Sequence, residues 1–154
     1  MKNLVLLLLL FASVLRVDAG NKIVISKQDC QLFVLTSCSD TLYIFPCAVG
    51  SNRGDKQKSG DHKTPEGTFT IASIEKASHR THDFRDGHGP RAGAYGPWFI
   101  RLRQKFYSIG IHGTCFPESI GTRSTEGCIR LRNEDLLRVV STVQVGDPVE
   151  IQPD

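Results

Sequence analysis

The stretch Ile109-Gly-Ile-His-Gly-Thr114, followed after nine residues by Ser124-Thr-Glu-Gly-Cys-Ile-Arg130, carries the features from which fold and chemistry can be inferred. The apolar residues before His112 predict a strand that ends at this histidine, and the glycine after it allows the chain a sharp exit. The imidazole would then project from a rigid strand into a site lined by loops. The glycine before Cys128 allows an uncommon backbone turn and lets a substrate approach the thiol closely.

A cysteine and a histidine in this arrangement point to nucleophilic catalysis. A thiolate is a strong nucleophile when a base or a positive environment lowers its pKa, and histidine is the natural base. All five histidines precede Cys128, which excludes the papain and NlpC/P60 peptidases, in which the cysteine comes first. We therefore predict that Cys128 is the nucleophile and His112 its base.

Short β-rich runs dominate the rest of the chain. The one convincing helix spans residues 133–143, with Asn133 as its cap and with Leu136, Leu137, Val140 and Val143 on one face. The predicted strands are Lys22–Ser26, Gln31–Leu35, Thr41–Val49, a run that begins after Thr64, Trp98–Leu102, Phe106–His112 and the end of Val145–Ile151. Because strands and helices do not alternate, we expect a mainly β (α+β) fold and not a parallel α/β sheet.

The first predicted hairpin bears on the cysteines. A turn centred between Cys38 and Ser39 would pair Phe33 with Ile44 and Leu35 with Leu42, and would bring Cys30 opposite Cys47. A disulfide there and two separate thiols are both compatible with this register, since one residue of slip separates them.

The first nineteen residues predict a signal peptide. A positive start precedes the apolar run 4–15, and Val17-Asp18-Ala19 resembles a signal-peptidase site. The apolar run is shorter than the roughly 20 residues that span a bilayer. We expect cleavage after Ala19, an exported protein, and a single domain over residues 20–154. All five cysteines lie in that domain; five is odd, so at least one thiol has no partner within the chain.

Composition excludes several classes of protein. The 154 residues are 40% hydrophobic and 23% charged, which excludes collagen-like, low-complexity and disordered chains. The net charge of +3 is modest, and Lys and Arg never run longer than two together. We therefore expect no nucleic-acid partner.

The ordered motifs resemble those of a known family. Ile-His-Gly-Thr at His112, followed by Ser-x-x-Gly-Cys-Ile-Arg-Leu at Cys128, is similar to the signature of the L,D-transpeptidase catalytic domain, also called the YkuD family. Further similar stretches are Ala48-Val-Gly50, Lys63-Thr-Pro-Glu-Gly-Thr-Phe69, Tyr95-Gly-Pro-Trp-Phe-Ile-Arg-Leu102 and Val145-Gly-Asp-Pro-Val-Glu-Ile151. The resemblance implies a YkuD-like β-sandwich with one helix at about residues 133–143.

The resemblance also implies catalytic roles. Cys128 would attack the carbonyl of the third residue of a peptidoglycan stem peptide, expel the terminal D-alanine and form a thioester. His112 would accept and return the proton, and the Gly113 carbonyl would orient its ring.

Substrate-binding roles follow from the same motif. Backbone N–H groups of Gly127 and Cys128 would form an oxyanion hole. Arg130 would hold a carboxylate of the stem peptide, and Ser124 would also contact the substrate.

The resemblance implies a setting as well. We expect an exported monomer in the periplasm or cell envelope that needs no cofactor and no metal, binds peptidoglycan and is not stably inserted in the membrane. The acceptor amine stays open between a second stem peptide, a protein and a free D-amino acid.

One position departs from the family. Many members have Ser-His-Gly-Cys at the nucleophile, and Glu126 occupies the place of that histidine. A carboxylate there would raise the pKa of the thiol.

Several alternatives remain open at the level of sequence. His112, Cys115 and Cys128, with His62, could ligate a metal, although structural zinc sites usually show two short-spaced pairs. Cys115 could instead be a packed thiol or an oxidation partner of Cys128. The domain could also be an L,D-carboxypeptidase, with water resolving the thioester, or a cell-wall binding module without turnover.

The segment Ser78–Gly96 has no periodicity and predicts a long surface loop. Its histidines, His79, His82 and His88, fit neither a helix face nor a strand face. We interpret them as solvated, with a lid over the site as an alternative hypothesis.

Overall fold

Strands make up most of the regular structure in the computed structural model, which describes residues 20–104 and 108–154. The signal peptide prediction for residues 1–19 lies outside the described residues, as do Phe106 and Tyr107 of the predicted strand Phe106–His112. The strands are β1 (Lys22–Ser26), β2 (Gln31–Leu35), β3 (Thr41–Pro46), β4 (Val49–Gly50), β5 (Gly67–Lys76), β6 (Thr81–His82), β7 (Arg91–Ala92), β8 (Trp98–Leu102), β9 (Gly110–His112), β10 (Arg123–Thr125), β11 (Ile129–Arg130) and β12 (Pro148–Gln152), and the helix α1 spans Asn133–Val140.

Eight strands form one mixed sheet in the order β11-β9-β8-β5-β12-β1-β2-β3. The pairs β1–β12 and β9–β11 are parallel, and the other neighbours are antiparallel. The sheet curls, because Ala48 beyond β3 exchanges backbone hydrogen bonds of 2.9 Å with Arg130 on β11, at the opposite end of the order. The expectation of a mainly β, YkuD-like fold with one helix is confirmed.

The apolar side of this curled sheet forms one core that also buries the helix. Ile23, Ile71, Ile100 and Ile111 are fully buried in it, and Leu136 and Val139 of α1 pack against the same cluster. Burial of this apolar surface is the main stabilising contribution and fixes the strands that carry the site.

The helix departs from its prediction at both ends. It ends at Val140, because the Ser141 and Thr142 hydroxyls donate to carbonyls of the last turn. Asn133 is not the cap, since Arg132 occupies the N-cap position without a side-chain hydrogen bond. Leu137 was assigned to the buried face but is 49% exposed.

The first hairpin has the expected pairing in part. Phe33 lies opposite Ile44 as predicted, whereas a register shift after Val34 places Leu35 opposite Thr41 instead of Leu42. The N–H of Cys47 donates to the carbonyl of Cys30, and both thiols are free.

Two other strands are shorter than predicted. The run Thr41–Val49 breaks after Pro46, before β4 begins. In the strand predicted to lead to His112, Ser108 and Ile109 lie outside β9, which begins at Gly110. Among residues 20–104 and 108–154, the structure contains no helix with the length and hydropathy of a membrane span.

A buried lysine should contribute strongly to stability. Lys27 Nζ lies 2.6 Å from Glu66 Oε1 and 3.3 Å from Asp154 Oδ2, with a side chain only 1% exposed. Lys27→Met would leave these carboxylates without that cation, so we expect the free energy of unfolding to fall by about 3 kcal/mol. Urea unfolding of the two proteins measures the difference.

The matched control is an exposed pair of equal length. Lys22 Nζ also lies 2.6 Å from a glutamate oxygen, on Glu150, but both side chains are more than a third exposed. Lys22→Met should therefore cost less than about 1 kcal/mol. Equal losses in the two variants would contradict a special contribution of the buried cluster.

Candidate active site

His112 is held at the end of β9, between β8 and β11. Its backbone carbonyl accepts a hydrogen bond of 2.9 Å from the N–H of Leu131, which follows β11. The N–H of the next residue, Gly113, donates to the carbonyl of Tyr95 at 2.9 Å. The histidine is therefore fixed from both sides, as the strand-end prediction requires.

The imidazole lies between two aromatic rings. Phe99, its neighbour across the sheet, stacks on it at 5.5 Å between centroids and 8° between planes, and Tyr95 meets it edge-on at 4.9 Å. Gly110 makes room for this stack, since a Cβ there would lie 2.2 Å from an atom of the Phe99 ring. His112 is 4% exposed as a result.

One ring nitrogen of His112 has a defined partner. Nδ1 lies 2.6 Å from the carbonyl oxygen of Gly113, the contact expected from the sequence. Because a carbonyl only accepts, Nδ1 carries the proton, and in the neutral ring Nε2 is free to accept one. Burial lowers the pKa of His112 to about 3, with Arg130 and His82 adding to the effect and the Gly113 carbonyl opposing it.

Cys128 follows a tight loop between β10 and β11. The Thr125 hydroxyl donates to the Cys128 carbonyl at 2.6 Å and accepts from the Gly127 N–H at 3.0 Å. Gly127 has φ +130°, a conformation that favours glycine. Buried Thr64 connects this loop to β4, because its hydroxyl donates to the Gly127 carbonyl at 2.9 Å and accepts from the Gly50 N–H at 2.8 Å.

The hydrogen bonds in this loop remove one of the two donors predicted for the oxyanion hole. The Gly127 N–H was expected to stabilise developing negative charge, but it donates to Thr125 within the loop. The local turn satisfies the donor before any substrate arrives. The prediction for the Cys128 N–H stays a prediction.

The Cys128 thiol is half-buried and lies beside β9. Its sulfur is 3.9 Å from the Ser108 carbonyl oxygen. Burial raises the pKa of Cys128 above its ordinary value, while the Gly110 N–H, Arg130 and Lys56 lower it. Glu126 raises the pKa, in the direction expected from the sequence, but less than burial does.

His112, Cys128, Arg130 and Glu126 line one cavity of about 410 Å³. Arg130 is 7% exposed, and its Nε has no hydrogen-bond partner among the described residues. Its guanidinium lies over the ring of Phe84 at 5.4 Å. Because Arg130 lines the cavity, its positive charge suits an anionic ligand there.

Ser124 does not reach this cavity. It is exposed on β10, where its hydroxyl accepts a hydrogen bond from Thr122, whereas its neighbour Thr125 points inward. Successive side chains of a strand point to opposite faces, so Ser124 and Thr125 are separated. The prediction that Ser124 contacts the substrate rested on its closeness to Cys128 in sequence and is not supported.

The residues of the alternative metal site are not grouped. His62 lines the cavity with His112 and Cys128, while Cys115 is exposed and does not line it. Within residues 20–104 and 108–154, no three His, Cys, Asp or Glu side chains are placed to hold a metal ion.

The long segment 78–96 contributes to the cavity wall. It contains the short pair β6–β7, and its three histidines separate: His82 lines the cavity, His79 lines a neighbouring one, and His88 is exposed. His82 Nδ1 lies 3.1 Å from the Tyr95 hydroxyl, and its Nε2 lies 3.4 Å from Glu126 Oε2. His82 is therefore not a solvated loop residue as interpreted, and the lid hypothesis stays a hypothesis.

Sequence reasoning missed the supporting residues Thr64, Thr125 and Tyr95. Thr64 and Tyr95 both lie in stretches noted for their family resemblance, which was the available signal. The contacts of Thr64 and Tyr95 join distant segments and follow from no local rule, whereas Thr125 bonds within its own loop.

The fold is a mainly β domain in which Cys128 and the buried His112 line one cavity. The model of the L,D-transpeptidase catalytic domain family, YkuD, matches residues 20–151, and the chain belongs to this family.

Relatives agree with that assignment. A Bacillus licheniformis protein named as the L,D-transpeptidase YkuD is 43% identical over 91 residues, covering 59% of this chain and 46% of the relative. An Escherichia coli protein named as the L,D-transpeptidase YbiS is 27% identical over 140 residues, covering 83% and 43%. The chain thus spans about half the length of these curated relatives.

Solved structures share the fold. The helical cell shape determining protein Pgp2 of Campylobacter jejuni superposes with a TM-score of 0.67 at 22% identity, covering 88% of this chain and 48% of that one. The catalytic domain of an Enterococcus faecium L,D-transpeptidase gives 0.62 at 17% identity, covering 86% and 97%.

The pKa shifts predict the pH dependence of thiol alkylation. Because the pKa of His112 is lowered and that of Cys128 is raised, the resting pair is a neutral imidazole and a protonated thiol. The rate of Cys128 alkylation by iodoacetamide should rise steadily through neutral pH and above pH 9.0, the ordinary thiol value, with no inflection near the ordinary imidazole value of 6.5. A plateau between about pH 6 and 8 would indicate a thiolate–imidazolium pair and contradict this ordering.

Proposed function

We propose that this domain is an L,D-transpeptidase that acts on peptidoglycan stem peptides through a thioester on Cys128. The observation that carries the proposal is the joint placement of Cys128 and an oriented, neutral His112 in one cavity. Family membership supports the reaction class.

The residues have defined roles in acylation. Cys128 Sγ attacks the carbonyl carbon of the third stem residue as the thiol proton passes to His112 Nε2. The bond to the terminal D-alanine breaks, His112 returns the proton to the leaving amine, and a thioester remains. An acceptor amine then attacks the thioester and regenerates the thiol.

Arg130 supplies recognition of the donor. Its guanidinium carries a positive charge at the cavity that holds Cys128 and can bind a carboxylate of the acidic stem peptide. Gly113 and Gly127 act through the backbone, one by orienting His112 and one by allowing the turn that presents the thiol.

The proposed setting is the cell envelope. The signal-like residues 1–19 support export, and residues 20–154 would act there as a monomeric domain without cofactor. The Campylobacter jejuni neighbour is named as a cell shape determining protein, which agrees with such a setting.

The test is product analysis with disaccharide-tetrapeptide muropeptides and residues 20–154 of the chain. Chromatography should show cross-linked dimers together with free D-alanine, and Cys128→Ala should give neither. Tripeptide without dimers would assign an L,D-carboxypeptidase. Binding without any product would assign a wall-binding module.

A further inference from the structure

The cavity that holds Cys128 is lined by two side chains of opposite charge, Glu126 and Arg130. Glu126 Oε2 lies 3.4 Å from His82 Nε2, and the His82 ring contacts Phe84 edge-on at 4.6 Å. Phe84 in turn lies under the Arg130 guanidinium. Two aromatic rings therefore separate a carboxylate from a guanidinium along one wall beside the thiol.

The carboxylate of Glu126 has capacity for a ligand. Its side chain is 50% exposed, and the 3.4 Å contact with His82 is longer than a strong charge-assisted hydrogen bond. A carboxylate offers about four acceptor positions. The Tyr95 hydroxyl lies 3.1 Å from His82 Nδ1, on the side of the ring opposite the nitrogen that faces Glu126. This contact fixes the orientation of the His82 ring.

The two charges suit different substrates. An acidic donor peptide is attracted by Arg130 and repelled by Glu126. An acceptor that arrives as an ammonium ion has the opposite preference, and Glu126 is two residues from the sulfur that carries the acyl group.

We propose that Glu126 binds the ammonium group of the acceptor and selects cationic primary amines over water in the second half-reaction. This inference rests on the proposed transpeptidase function and specifies its acceptor class. The bound ammonium releases one proton to solvent, and the amine nitrogen attacks the thioester carbonyl. The C–N bond forms, the C–S bond breaks, and His112 transfers the second amine proton to the departing thiolate.

The experiment measures how the acyl-enzyme partitions between an amine and water. The protein is acylated with tetrapeptide muropeptide in the presence of Nα-acetyl-lysine amide, which carries one ammonium group, or of hydroxylamine, which is uncharged at neutral pH. We expect Glu126→Gln to reduce aminolysis by the lysine derivative relative to hydrolysis by about 5-fold. The partition with hydroxylamine should change less than about 2-fold, because no ammonium is recognised.

Two variants serve as controls. Glu118→Gln removes an exposed carboxylate that does not line the cavity, and it should leave the partition unchanged with both nucleophiles. Glu126→Asp keeps the charge and should restore most of the preference for the lysine derivative. High salt should weaken that preference in the wild type and not in Glu126→Gln.

The outcomes separate this inference from the proposed function. If the wild type forms no acyl-enzyme, the transpeptidase proposal fails. If the acyl-enzyme forms but Glu126→Gln keeps the wild-type partition, or shifts the two nucleophiles equally, Glu126 does not recognise the acceptor.

Discussion

Replacing His112 with alanine should slow acylation of Cys128 at neutral pH by about 10²- to 10⁴-fold. Burial raises the pKa of the thiol, so Cys128 is protonated at rest and needs a base during attack. His112 is suited to that task because its lowered pKa keeps the ring neutral. The Gly113 carbonyl binds the N–H at Nδ1, which leaves Nε2 to accept the thiol proton. The rate of mass increase after mixing with donor muropeptide gives the acylation constant.

A second histidine provides the control for this prediction. His88 is exposed and lines neither cavity at Cys128, so His88→Ala should acylate at the wild-type rate. Acylation of His112→Ala within about 3-fold of the wild type would remove His112 from the chemistry.

Gly127→Ala should reduce acylation by about 100-fold or more and also destabilise the fold. The φ of +130° at this position disfavours a side chain, and a Cβ would lie 2.6 Å from the backbone carbonyl oxygen of Lys63. The loop must shift to relieve that contact, and a displacement of about 1 Å at a nucleophile costs on the order of 10²-fold in rate. We expect the free energy of unfolding to fall by about 2 kcal/mol.

Gly121 is the matched glycine. It also has a positive φ, +89°, but a Cβ there would meet nothing within 4 Å. Gly121→Ala therefore isolates the backbone cost, about 1 kcal/mol, and should keep acylation close to wild type. Equal acylation by the two variants would show that the turn at Gly127 does not position the thiol.

Local patterns predicted the main strands and singled out Cys128 and His112, which line one cavity. The strand that ends at His112 and the glycine turn before Cys128 are encoded within a few residues, so periodicity and motif spacing were sufficient. The C-terminal end of α1 could not be predicted in this way, because the hydroxyls of Ser141 and Thr142 compete for the last carbonyls of the helix.

Contacts across the fold were beyond sequence reasoning. Asn133 has good capping chemistry, yet its Oδ1 accepts the Thr114 N–H at 2.9 Å beside the site. Thr64 reaches Gly127 across 63 residues of chain, which only the curled sheet brings together. The sequence shows that Glu126 replaces the histidine found in many family members. Its contact with His82 could not be predicted, because His82 lies in a segment without any periodic pattern.

The most direct measurement of the central claim is the intact mass of residues 20–154 after reaction with disaccharide-tetrapeptide, followed by peptide mapping. We expect the protein to gain the mass of the donor less D-alanine, with the adduct on Cys128 and none on Cys128→Ala. If folded protein with a reduced Cys128 gains no such mass, or carries the adduct on another residue, a thioester mechanism at Cys128 is wrong.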